Sequence, residues 1–242
     1  MPAWVTTHKD GIAPNTGIKY RHNRKRWSLL SPKGSFAAMT IFPLVDLTAI
    51  ILAGGQSSRM GQDKALLSRN GIPLLTRICQ VAQSVAPTVY VVTPWVERYQ
   101  MVVPEDCHLL PECWPPDCQR SPGPLWGFSQ ALPFCQTTWV LLLACDLPCL
   151  TVVDLQTISQ YLISFIPISA TTMAILPRSN QGWEPLCGFY RTACGAELTQ
   201  FLNQGGRSFQ QWLSQQSVAE LPTSHRRFLF NCNTPEDWLR LE

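Results

Sequence analysis

The stretch LTAIILAGGQSSRMGQDKALL, residues 47–67, constrains the fold of this chain more than any other segment. Residues 47–53 form an almost unbroken apolar run, as a central parallel strand needs when both its faces are covered. Gly54 and Gly55 follow, and without Cβ atoms they let the backbone turn sharply and approach a ligand closely. Arg59 and Lys64 add full positive charge to a loop whose exposed N–H groups already favour anions. Together these features predict a triphosphate-binding loop. It is not a Walker A loop: Gly55 to Gly61 has the wrong spacing, and Lys64 precedes Ala65.

Charge is divided unevenly along the 242 residues. Residues 1–38 carry seven Lys or Arg against one Asp, whereas the remainder carries 12 basic and 15 acidic residues. Lys64 is the only lysine beyond residue 38, which argues against an incidental surface charge. Residues 1–45 read as a basic, disordered leader without a signal-peptide apolar region, and Met39 is a natural alternative start. Residues 46–242 read as one domain. No apolar run reaches the roughly 20 residues needed to span a bilayer. The ten cysteines form neither a compact secreted framework nor a zinc-ligand pair, which suits a reducing cytoplasm.

From residue 47 onward, strand and helix patterns alternate, which predicts a βαβ sheet. Strands are expected over residues 47–53, 88–93, 107–110, 138–144, 168–175 and 185–190. Helices are expected over 74–85, 97–103, 125–132, 152–165 (capped by Thr151), 193–203, 209–216 and 234–241. Ligands of such sheets sit beyond the carboxyl ends of the strands, so the loops holding Gly54–Lys64, Thr93 and Asp146 should converge. Asp146 emerges from the apolar run 141–145, where a carboxylate can hold a hard cation against phosphates.

The sequence LAGGxSxRMGxDK, from Leu52 to Lys64, resembles the signature loop of the molybdenum cofactor guanylyltransferases, within the nucleotidyltransferase superfamily. Three further motifs follow in the family's order: Ser121-Pro-Gly-Pro-Leu-Trp-Gly127, Ala144-Cys-Asp-Leu-Pro148 and Asn231-Cys-Asn-Thr-Pro-Glu-Asp237. The resemblance implies a three-layer α/β/α Rossmann-like fold with a mostly parallel central sheet. It also implies transfer of GMP from GTP to the phosphate of molybdopterin (Mo-molybdopterin), with release of pyrophosphate. By the same resemblance Arg59, Lys64 and Asp146 are catalytic, and Asp146 holds Mg²⁺. Leu52, Ala53, Gly54, Gly55, Gly123, Pro124, Leu125 and Gly127 shape the nucleotide pocket, while Asn231 and Asn233 border the acceptor. The loop Gly206-Arg207-Ser208 is a further candidate for acceptor phosphate.

Two departures bear on the base. Thr93 stands where the family has an asparagine that recognises guanine, and Arg120 or Ser121 where it has an aspartate; nearby Asp117 is a candidate substitute. Cytidylyl transfer to the same cofactor, another phosphorylated acceptor and a non-catalytic cofactor-binding adaptor therefore remain alternatives. Molybdenum insertion proteins and apo-molybdoenzymes are the implied protein partners. Neither nucleic acid nor membrane is expected, although the run Arg21–Arg26 is basic enough to touch either.

Overall fold

The computed structural model describes residues 44, 46–55, 60–115, 118, 121–165, 171–223 and 226–241. Residues 40–242 group as one unit and residues 1–39 as another. The expected leader thus lies outside the described residues, apart from Leu44.

A seven-stranded sheet organises residues 46–241. Its strands are β1 (Leu47–Leu52), β2 (Thr88–Thr93), β3 (His108–Pro111), β4 (Trp139–Ala144), β5 (Ala174–Leu176), β6 (Cys187–Arg191) and β7 (Val218–Glu220). Their order across the sheet is β7-β5-β6-β4-β1-β2-β3. Only β6 runs antiparallel to its neighbours β4 and β5. β1 is paired on both edges and its six residues are all buried. Its side chains alternate between two cores: Leu47, Ala49 and Ile51 face one, Ile50 and Leu52 the other. The apolar run is continuous because each face of the strand has its own helical layer.

The helices are α1 (Leu74–Gln83), α2 (Val96–Tyr99), α3 (Pro124–Ala131), α4 (Val152–Phe165), α5 (Gly195–Asn203), α6 (Phe209–Leu213) and α7 (Pro235–Leu239). Residues of α1 and α4 fill the first core, and those of α3, α5 and α6 the second. This is the expected three-layer, mostly parallel arrangement. Thr151 caps α4 as expected, its hydroxyl accepting from the Asp154 N–H at 3.2 Å.

Several boundaries differ from the sequence reading. The helix expected over 97–103 stops at Tyr99, where the Val102 and Val103 N–H groups both fold back onto the Tyr99 carbonyl. The helix expected over 209–216 stops at Leu213, closed by Ser214. The strand expected from 168 begins at Ala174, with residues 166–170 outside the described set. Three pieces of strand structure were not expected: edge strand β7, a hairpin pairing Arg178–Ser179 with Gly182–Trp183, and a hairpin pairing Ser68–Arg69 with Ile72–Pro73. The last of these turns on Asn70 and Gly71, at φ 53° and 78°, the backbone that a two-residue Asn-Gly turn favours.

Register places the site. Leu52 pairs with Ala144 and Val92, so the chains after β1, β2 and β4 leave the sheet at one level. The C-terminal segment returns to this edge, where Cys232 and Leu241 pack with Met60, Leu67 and Leu74 in a third apolar cluster. Close packing of β5 on β6 gives a test. A Cβ on Gly188 would lie 2.5 Å from Leu176 Cδ2 and 2.9 Å from the Ile175 carbonyl oxygen, and the backbone atom cannot swing aside. Gly188→Ala should cost about 2 kcal/mol in urea unfolding. Gly195→Ala, whose Cβ would meet only Leu132 at 3.9 Å, should leave stability unchanged or slightly raised.

Candidate active site

Beyond the carboxyl ends of β1, β2, β3 and β4 lies a cleft of about 380 Å³. Gly54 and Gly55 form one wall, Gly123, Pro124 and Gly127 another, and Lys64, Asp146 and Asn233 close one end. Leu52 and Ala53 line it as well, as do Asp63 and Glu112, which the sequence reading did not select. Arg59, Asp117 and Arg120 lie outside the described residues.

The Lys64 ammonium bridges two chain-distant oxygens. It donates to Asn233 Oδ1 at 2.6 Å and lies 3.3 Å from Asp146 Oδ2. Burial raises the Asp146 carboxyl above its ordinary range, and the Lys64 charge opposes that shift. Lys64 opens a 3₁₀ turn whose N-cap is Asp63, which accepts from the Ala65 N–H at 3.1 Å. Asp63 is itself held by the phenol of buried Tyr99, at 2.9 and 3.0 Å, and by Arg98 at 3.0 Å. Helix α2 therefore fixes the residue that positions the Lys64 turn.

Asn233 is fixed from the other side. Asp237 Oδ2 accepts from the N–H groups of Asn233 and Thr234 at 2.9 and 3.0 Å, while Thr234 Oγ1 accepts from the Asp237 N–H. These backbone donors, Asn233 first, hold the Asp237 carboxyl below its usual range. This capping box orients the start of α7. The Cys232 N–H bonds the Asp146 carbonyl at 3.1 Å, locking the two loops together.

At the other end of the cleft the structure revises the sequence reading. Thr93 is fully buried and does not line the cleft; its hydroxyl donates to the Ala53 carbonyl and accepts from the Trp95 N–H, both at 3.1 Å. It braces the glycine loop from beneath. Glu112, directly after β3, is an acid that lines this end of the cleft. Its carboxylate packs between two glycines: a Cβ on Gly54 would lie 2.3 Å from Oε2, and one on Gly127 3.5 Å from Oε1. Burial raises its pKa. The signal for Glu112 was the rule that selected Asp146, an acid where a strand emerges.

Leu125 is core, Asn231 is exposed, and neither lines the cleft. Arg207 donates to the Leu202 and Gly206 carbonyls at the end of α5 and also stands apart from the cleft. Ser121 does line it, and its hydroxyl accepts from the Gly123 N–H at 3.3 Å.

Residues 49–219 match the MobA-like NTP transferase domain. The chain belongs to this family. It is 54% identical over 192 residues to a probable molybdenum cofactor guanylyltransferase of Nostoc sp., covering 79% of this chain and 88% of that protein. A protein of the same description from Synechococcus elongatus is 45% identical, covering 82% of this chain and 99% of the relative. The fold is shared with molybdopterin-guanine dinucleotide biosynthesis protein A from Archaeoglobus fulgidus, at a TM-score of 0.63 and 19% identity, covering 80% and 95% of the two chains. The family is thus one of nucleotidyltransferases, and the cleft occupies the edge of the sheet where such folds bind ligands.

The clamp on Asp63 can be tested without substrate. Tyr99→Phe removes a buried donor to a carboxylate and should cost about 2 kcal/mol in urea unfolding. Arg98→Ala, at the more exposed partner, should cost under about 1 kcal/mol.

Proposed function

We propose that the chain is a molybdenum cofactor guanylyltransferase, joining GMP from GTP to molybdopterin. The acceptor's terminal phosphate oxygen bonds to the α-phosphorus of GTP, the bond to the β-phosphate oxygen breaks, and pyrophosphate leaves. No protein nucleophile is required, so the chain's task is positioning and charge stabilisation. Lys64, with Arg59 from the same loop, neutralises phosphate charge. Gly54, Gly55 and the N-terminus of α3 bring backbone N–H groups to the nucleotide.

The observation that carries the assignment to GTP is Glu112, an acid held between Gly54 and Gly127 at the end of the cleft away from Asp146. A carboxylate accepts hydrogen bonds only, and guanine offers N1–H and N2–H₂ side by side. Cytosine offers a single amino donor beside acceptors, which a carboxylate repels. The identities to guanylyltransferases support the same choice.

A divalent cation fits the opposite end. Asp146 and Asn233 present hard oxygen donors on either side of the Lys64 ammonium, which already stands where positive charge is favoured. Among the described residues, no group of three His, Cys, Asp or Glu could hold a metal, so substrate phosphates would complete the shell. Mg²⁺ bound there by Asp146 would supply charge to the triphosphate. All ten cysteines are free, and no described helix is long and apolar enough to cross a membrane. Both support the reading of a cytoplasmic enzyme that passes its product to insertion proteins or apo-molybdoenzymes.

The direct test is turnover with molybdopterin, Mg²⁺ and each of the four nucleoside triphosphates, measuring pyrophosphate and dinucleotide. GTP alone should react. Turnover with CTP would reassign the base, and binding of molybdopterin with no turnover would support the adaptor. Glu112→Gln should weaken GTP binding by about 2 kcal/mol, roughly thirtyfold, because one guanine donor then faces an amide N–H. In the unmodified protein, GTP affinity should be full while Glu112 is ionised and fall as pH drops through its raised pKa. That midpoint should lie above the ordinary glutamate value of about 4.3 and vanish in the Gln variant.

A further inference from the structure

Trp126 and Gln130 stand one helical turn apart and share a face of α3. Neither lines the nucleotide cleft. Both bond instead to the backbone of Cys113, the residue that follows Glu112. Gln130 does so at two points: its Oε1 accepts from the Cys113 N–H at 2.9 Å, and its Nε2 donates to the Cys113 carbonyl at 2.7 Å. The Trp126 indole N–H donates to the same carbonyl at 2.9 Å. Trp126 is braced in turn by Arg207, whose guanidinium carbon lies 5.8 Å from the ring centroid, within cation–π reach. Arg207 thus touches the site only through Trp126.

These bonds meet a need that the sheet creates. β3 is an edge strand, paired only with β2. The pairing closes where the Glu112 N–H bonds the Thr93 carbonyl at 2.8 Å. Among the described residues, no strand pairs with the chain beyond that bond. A carboxylate prefers water to a buried place, so a loose segment after Glu112 would let its side chain swing outward. α3 takes over where β2 stops. The same helix carries Gly127, where a Cβ would lie 3.5 Å from Glu112 Oε1. One helix therefore closes on the carboxylate and grips the next residue of the chain. Cys113 is itself exposed, so its side chain does not anchor it; the three hydrogen bonds do.

We propose that Trp126 and Gln130 are positioning residues for base selection: by docking Cys113 on α3, they hold the Glu112 carboxylate against the N1–H and N2–H₂ edge of guanine. The proposal rests on the reading of GTP as substrate, but its test separates the two. GTP and inosine triphosphate, which keeps N1–H and lacks the 2-amino group, are titrated calorimetrically with Mg²⁺ into four proteins. These are the unmodified chain, Glu112→Gln, Trp126→Phe/Gln130→Leu and the triple variant. The unmodified chain should prefer GTP about tenfold. Trp126→Phe/Gln130→Leu should weaken GTP about tenfold and inosine triphosphate less, lowering the preference to about threefold or under. With Glu112 already changed to Gln, the same two substitutions should alter GTP binding less than about twofold, because the acid they position is gone. Trp126→Phe alone keeps the ring and loses the N–H, so it should lower the preference part-way even if the double variant folds poorly. Equal weakening of both nucleotides, equal losses with and without Glu112, or GTP binding unchanged by Trp126→Phe and by the double variant overturns the proposal and leaves the GTP reading standing. No preference for GTP in the unmodified chain, or GTP binding indifferent to Glu112→Gln, overturns that reading and the proposal with it.

Discussion

The contact of Lys64 with Asp146 and Asn233 is the constraint around which the site is built. It joins positions 82 and 169 residues apart, and each participant is fixed by a different element. The Asp63 cap, held by Tyr99 and Arg98, positions Lys64; β4 delivers Asp146; the Asp237 box orients Asn233. A partly buried ammonium and carboxylate lose hydration, so the arrangement persists because hydrogen bonds surround it. The charge that the loops share without substrate is the charge that a bound triphosphate and cation would take over.

Sheet register turns this local contact into a two-ended cleft. Glu112 and Asp146 follow β3 and β4, two strands that flank the pair β2 and β1, and the glycine loop lies between them. One carboxylate sits against glycine backbone at the end proposed for the base. The other faces an ammonium at the end proposed for the reaction. The two acids have different neighbours, glycine backbone for Glu112 and an ammonium for Asp146, which suits the different roles proposed for them.

Much of this was legible in the sequence where burial on both faces leaves a plain signal. β1 and β4 read as continuous apolar runs, and Asp146 follows from the second. Glu112 escaped because β3 is four residues long, with exposed and half-buried positions that carry little periodicity. Asp117 is closer in sequence to the Ser121–Gly127 motif and was the candidate acid on that ground. Thr93 was placed correctly at a strand end, but whether a side chain there points into a cleft or back into the loop is settled by tertiary packing. The antiparallel direction of β6 has no local signature, since a strand's own pattern is the same in either orientation. The Asn70-Gly71 hairpin did have a signature, overlooked because its strands are only two residues long.

The most direct test of the two-ended cleft is a crystal structure with GTP and Mn²⁺, with manganese located by anomalous scattering. The expected result is manganese on Asp146, Lys64 turned toward the phosphates, and the guanine N1–H and N2–H₂ edge on Glu112. Manganese away from Asp146, or a base pointing away from Glu112, would contradict the account.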